Sequence, residues 1–209
     1  MKEALYYEKL EDDKVRCELC PHLCVIAPDK SGICRARVNA GGTLYSEIYN
    51  RVMARGMDPI EKKPFYHFHP GSAIYSLGTR GCNQSCDFCQ NWQMLEPDAP
   101  TGEITSRQAV DEAMELGSIG IAYTYNEPLI WYEFVLECSQ LAKEEGLVNV
   151  LVTNGFVNPA PLEELALFID AMNVDVKSME PDFYGRICKS ALEPVLDTCR
   201  AARRPGIHL

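Results

Sequence analysis

From residue 74 onward, short apolar runs alternate with helix-patterned stretches, and each apolar run ends in polar residues. IYSLGT (74–79), GIAYTY (120–125), VNVLVTN (148–154) and AMNVDV (171–176) read as buried strands. TSRQAVDEAMELG separates the first two. Thr105 and Gln108 stand there at capping-box spacing, Gly117 is a stop, and Val110, Ala113, Met114 and Gly117 share one face. Pro128 opens a longer helix to about Glu145, with Ile130, Phe134, Cys138 and Leu141 inward and Gly146 ending it. Asn158 and Pro159 start another, and one or two more run from the fourth strand through Arg204. Repeated strand–helix units predict an α/β fold, a parallel sheet with helices outside. GIHL (206–209) reads as the opening of a fifth strand. Sheets rarely end on an unprotected edge, so the expectation is a partial (β/α) barrel, truncated at the C-terminus relative to a longer protein.

Residues 1–73 have a different texture and are expected to form a small Cys-rich N-terminal unit, with 74–209 as the core. RVNAGGTLYSEIY reads as a hairpin around Gly41-Gly42. MDPIEKKPFYHFHPGS, with three prolines, reads as an irregular connector.

The 209 residues carry a net charge of −10, which argues against nucleic acid or an anionic membrane as partner. Arg200, Arg203 and Arg204 read instead as the charged last turn of a helix. No apolar run approaches the roughly 18–20 residues of a membrane span. The start, MKEALYYEKLEDDKVR, is too charged for a secretory signal. The expected location is therefore cytoplasmic, where ten cysteines point to metal or catalysis rather than disulfides. Cys138, Cys188 and Cys199 stand alone in helical patterns and read as small core residues.

The stretch GCNQSCDFCQNW (81–92) places Cys82, Cys86 and Cys89 directly after the first strand. In α/β barrels the C-terminal ends of the strands carry the site. Thiolates hold iron–sulfur clusters or zinc, but a closed structural zinc site needs four protein ligands. Three ligands leave one corner open for a substrate or cofactor. His67 and His69 could supply a fourth, yet beside Tyr66 and Phe68 they read as packing residues.

The C-x3-C-x2-C spacing, with Phe88 before the last cysteine, resembles the radical S-adenosylmethionine (radical SAM) superfamily. The resemblance implies that these three thiolates bind a [4Fe–4S] cluster whose fourth iron is chelated by SAM. YNEP (125–128) resembles the family's GGEP-like segment, with Tyr125 and Asn126 in place of two glycines. TNG (153–155) ends the third strand, and DVK (175–177) resembles a segment of glycyl-radical activating enzymes. The implied SAM-binding residues are Asn126, Glu127, Asn154, Asp175 and Lys177, with Lys177 pairing with the SAM carboxylate and Phe88 near the adenine. Read on their own, N-E-P is a helix start and TNG a polar turn.

CELCPHLCVI, SGICRAR, DPIEKKPFYHF, GCNQSCDFCQNW, GIAYTYNEP, VTNGF and DAMNVDVK together resemble the radical SAM component of the AmmeMemoRadiSam system. That group is related to pyruvate formate-lyase activating enzyme. The resemblance implies reductive cleavage of SAM, with ferredoxin or flavodoxin as electron donor and a partner protein's glycine as one candidate target. A small molecule or peptide substrate is a second reading, and a non-catalytic iron–sulfur electron carrier a third. No residue is assigned to the substrate.

Cys17, Cys20, Cys24 and Cys34 form C-x2-C-x3-C-x9-C, which can close a site for zinc or hold a second iron–sulfur cluster. A unit this small cannot bury enough surface alone, and a metal is one way to staple it. His22 lies among them and is not needed as a ligand.

Overall fold

Five strands line up in one sheet in a computed structural model that describes residues 1–96, 98–203 and 206–209. They are β1 (Ala54–Pro59), β2 (Ala73–Gly78), β3 (Gly120–Tyr123), β4 (Val148–Thr153) and β5 (Ala171–Val174), in the spatial order β5-β4-β3-β2-β1. β2 to β5 run parallel and β1 pairs antiparallel with β2. His208 continues the parallel pattern through a single bridge to Ala171, where GIHL was expected to start a strand. Arg204 and Pro205 lie outside the described residues.

The helices follow the strands as the spacing requires. α1 (Ser106–Glu115) starts at the Thr105–Gln108 capping box, in which each residue's side chain accepts from the other's backbone N–H. Its buried face is Ser106, Ala109, Val110 and Ala113; Met114, expected on that face, is 46% exposed. Pro128 opens a 3-10 turn, Pro128–Trp131, which passes into α2 (Tyr132–Glu144). α3 (Pro159–Leu165) and α4 (Leu192–Ala202) complete the layer, with Pro181–Phe183 and a wide turn Tyr184–Cys188 between β5 and α4. Arg200, in the last turn of α4, pairs with Glu193 and Asp197.

Both faces of the sheet are buried, as unbroken apolar strands demand. Tyr75, Leu77, Ile121, Tyr123, Leu151 and Met172 pack toward the helices. Ile74, Ala122, Val150 and Ala171, one residue out of phase, meet Ile60 and Phe65 on the other face.

The division expected between residues 73 and 74 runs through this sheet. β1 belongs to the N-terminal stretch yet forms the edge of the core sheet. Met57 to Pro59, expected in an irregular connector, are the end of β1, and Pro59 sits at the last position of an edge strand, where no ladder donor is lost. The expected hairpin is present as strands Arg37–Ala40 and Thr43–Ser46. A second small sheet joins Tyr7–Lys9, Val15–Cys17 and Val25–Ile26. Val15, Leu44 and Ile48 enter the same core cluster as Trp131 and Phe134, so the N-terminal residues share the core of the helices.

A buried ion pair fixes that join. Arg37 and Glu133 of α2 are each 1% exposed, and their side chains are hydrogen-bonded. Glu133 also accepts from Leu5 N, while Arg37 donates to Leu5 O. Breaking one half of such a pair leaves a buried charge uncompensated. Glu133→Ala is expected to lower unfolding stability by about 3–5 kcal/mol in urea titration. A loss below about 1 kcal/mol would show that the pair contributes little to the join.

Candidate functional site

The residues between β2 and the 3-10 turn Trp92–Leu95 form no regular helix or strand, so the cysteine loop is shaped by what grips it. Three neighbours do so. The end of β4 supplies Asn154, whose Nδ2 donates to Asn83 Oδ1 (2.9 Å) and approaches Cys82 Sγ (3.6 Å). Asn83 Nδ2 in turn donates to Phe156 O (2.7 Å). The turn before α4 takes Ser85 N–H and Asp87 N–H on the carbonyls of Cys188 and Ile187, both at 3.1 Å. The N-terminal unit presses from the third side. Gly81 has φ +90°, and a Cβ there would lie 2.5 Å from Cys34 O, so only glycine lets the two segments approach. His22 Nε2 lies 2.7 Å from Asn83 O.

A cavity of ≈720 Å³ opens at the C-terminal ends of β3, β4 and β5. Cys82, Cys86, Cys89, Phe88, Asn126, Glu127, Asn154, Asp175 and Lys177, every one expected from the sequence for this site, line it. Glu127 is 1% exposed. Its carboxylate accepts from Leu129 N (2.9 Å), Thr153 Oγ1 (2.7 Å) and Asn154 N (2.7 Å). Burial pushes it up to about 7, against those donors, and Asp175 adds to the rise. Its oxygens thus hold the end of β3 to the end of β4.

Asn126 is likewise committed to the protein, accepting from Thr79 N (3.1 Å) and donating to Gly81 O (2.9 Å). Lys177 Nζ lies 2.6 Å from Asp175 Oδ2. Burial would lower its ammonium, but Asp175, Cys86 and Glu127 outweigh that and hold it raised. Phe88 is 52% exposed at the rim, against Phe183 at 5.8 Å between ring centres. His67 and His69 do not line the cavity; both are exposed, and His69 lies edge-on against Phe68.

The structure adds residues that sequence reasoning passed over. Tyr125 adopts φ +73°, a conformation glycine takes freely, at the position where the resembled segment has glycine. Its hydroxyl donates to Asp58 Oδ2 (2.7 Å) and Lys63 Nζ sits 4.3 Å from its ring centre, which holds it there. Asp58 also pairs with Lys62 and Lys63, both at 2.7 Å. Burial would raise the Asp58 carboxyl, but those partners hold it below its ordinary value. Lys62 and Lys63 line the wall of the cavity. Cys188 is buried as expected of a core residue, and Cys86 packs against the same apolar cluster. Asn83 carried no signal at all, being one polar residue among several in a loop.

The donor set fits an iron–sulfur group. Three soft sulfurs line one cavity, and no cysteine of the chain is in a disulfide. Burial pushes Cys86 up to about 12 and raises Cys82 also; coordination to a metal ionises such thiols. Gln84 Nε2, on the same loop, is buried without a partner, a donor that a sulfur could satisfy. Among the described residues, no three His, Cys, Asp or Glu side chains are already gathered at metal-holding spacing.

Parallel strands with helices outside, and a strand-end cavity lined by three thiols, define an α/β protein with a sulfur-rich strand-end site. The radical SAM superfamily model matches residues 76–209, and the chain belongs to that superfamily, which implies a [4Fe–4S] cluster and SAM. The uncharacterized protein MJ0808 of Methanocaldococcus jannaschii is 46% identical over 99% of this chain and 62% of its own length. A pyruvate formate-lyase-activating enzyme of Clostridium pasteurianum is 23% identical over 62% of this chain and 56% of its own. Another, of Staphylococcus epidermidis, is 27% identical over 52% of this chain and 48% of its own. The chain thus spans roughly half to three-fifths of the length of these curated relatives. QueE of Escherichia coli, a solved structure, superposes at TM-score 0.48 with 12% identity, over 73% of this chain and 68% of that one. No helix among the described residues is long and apolar enough to cross a membrane.

Because Glu127 lies above its ordinary 4.5, the folded protein keeps a proton there that the unfolded chain releases. Stability contributed by this group therefore falls as pH rises from 4.5 to about 7 and is flat above. Measured against Glu127→Gln, which does not titrate, unfolding stability is expected to drop by on the order of 3 kcal/mol across that window. A difference that is constant, or that grows with pH, would show the carboxylate to be ionised throughout.

Proposed function

We propose that Cys82, Cys86 and Cys89 hold a [4Fe–4S] cluster and that SAM binds in the cavity beside them. Reduced by an external donor of the ferredoxin or flavodoxin kind, such a cluster supplies the electron that cleaves SAM to methionine and a 5′-deoxyadenosyl radical, which takes hydrogen from a substrate. The observation that carries this reading is that three unpaired thiols and a charged Lys177 line the same ≈720 Å³ cavity.

Each residue has a task that follows from its surroundings. Lys177 is held as an ammonium by Asp175 and suits the carboxylate of SAM. Glu127 is a positioning residue: by gripping Asn154 N–H it sets the side chain that reaches Cys82 and Asn83. Asn126 braces the start of the cysteine loop. Phe88 offers a half-exposed apolar face at the rim, suited to adenine.

We read the substrate as a glycyl residue of a partner protein, in the manner of the activating enzymes named above, and the chain as a radical SAM component of the AmmeMemoRadiSam type. Similarity to two pyruvate formate-lyase-activating enzymes supports the first, and the seven segments quoted above support the second. A small molecule or peptide is the alternative, and the cavity's openness to Lys62 and Lys63 is compatible with it. A simple electron carrier has no need of so large a strand-end cavity.

Anaerobic reconstitution with iron and sulfide, followed by assay for 5′-deoxyadenosine from SAM and dithionite, tests the chemistry. Turnover is expected, and Cys86→Ala should lose cluster and cleavage together. Cleavage retained in that variant would refute the ligand assignment. Lys177→Met is expected to raise the KM for SAM about tenfold or more while the cluster absorbance is unchanged. An unaltered KM would remove Lys177 from the SAM site.

A further inference from the structure

We propose that Cys17, Cys20, Cys24 and Cys34 hold a single tetrahedral metal ion of the zinc class, and that this ion fastens the loop carrying Cys82, Cys86 and Cys89. The proposal is independent of what that loop binds. All four cysteines line one small cavity. Four thiolates complete a tetrahedral ion with no corner left open, and a unit this small gains a staple from such an ion.

The surroundings are those of thiolates. Arg37, itself 1% exposed, lines the cavity and reaches Cys17 Sγ at 3.9 Å, while its Nε is buried without a partner. A cation and an unused donor suit the −2 charge of one divalent ion with four thiolates. Tight turns present the ligands: Leu23 N–H bonds to Cys20 O at 3.1 Å and Arg35 N–H to Gly32 O at 2.9 Å, with Leu23 and Arg35 both at positive φ. The sulfurs line the cavity without being closed to ligand spacing, so binding requires these side chains to turn inward.

The link to the other loop is direct. His22, between two of the ligands, contacts Asn83 O through Nε2, and Asn83 also lines this cavity. Cys34 O is the atom against which Gly81 packs. An ion that rigidifies the turns holding His22 and Cys34 therefore fixes both ends of the segment around Cys82.

The test is elemental analysis and cobalt substitution of the full chain with Cys82, Cys86 and Cys89 all changed to alanine. About one zinc per chain is expected, lost when Cys20→Ser is added. Cobalt(II) put in its place should give the strong bands of a tetrahedral thiolate site. Iron with sulfide in that protein, or no metal at all, would overturn the proposal. Removing the zinc by chelation is expected to raise amide exchange at residues 83–87 at least tenfold. Unchanged exchange there would leave the ion without its fastening role. Neither readout involves SAM cleavage, so failure here is distinguishable from failure of the proposed function.

Discussion

The buried carboxylate of Glu127 joins the ends of β3 and β4, and the cysteine loop depends on that join. Three donors from two segments converge on it. Asn154, whose backbone it fixes, passes the constraint to Asn83 and Cys82. A carboxylate so deeply placed loses its hydration, which is why burial dominates its shift toward about 7. The donors offset part of that cost. The loop has no ladder or helix of its own, so its shape is that of its supports.

The N-terminal residues supply the other supports. They share the core of α2 through Arg37 and Glu133, place β1 on the sheet edge, and set Cys34 O against Gly81. They also bring Asp58, Lys62 and Lys63 to Tyr125, where a left-handed tyrosine stands in place of glycine. A bulky side chain at that position narrows the wall of the cavity and gives it a fixed pair of lysines. What begins in the sequence as a separate Cys-rich unit is thus part of how the strand-end site is made.

Much of this was legible because strand ends are marked locally. The apolar runs that became β2 to β5 stop at Thr79, Thr124, Asn154 and Asp175, and the last three reach one cavity because parallel strands end together. The capping box of α1 was equally local. β1 was not legible, since Met57-Asp58-Pro59 on an edge strand has the composition of a loop. The inward face of α1 was misjudged by one residue, because Met114 is apolar but faces solvent. Asn83, Lys63 and the packing of Cys86 against the cluster of Cys188 depend on contacts between distant segments, for which no short pattern exists. The commitment of Asn126 and Glu127 to the protein's own polar groups is a tertiary fact of the same kind.

Mössbauer spectroscopy of the protein reconstituted with isotopically enriched iron, before and after addition of SAM, is the most direct probe of the three-thiolate site. One iron in four should change its environment when SAM is added, since three cysteines leave one iron without a protein ligand. Four irons indifferent to SAM, or zinc in place of iron at these cysteines, would contradict it.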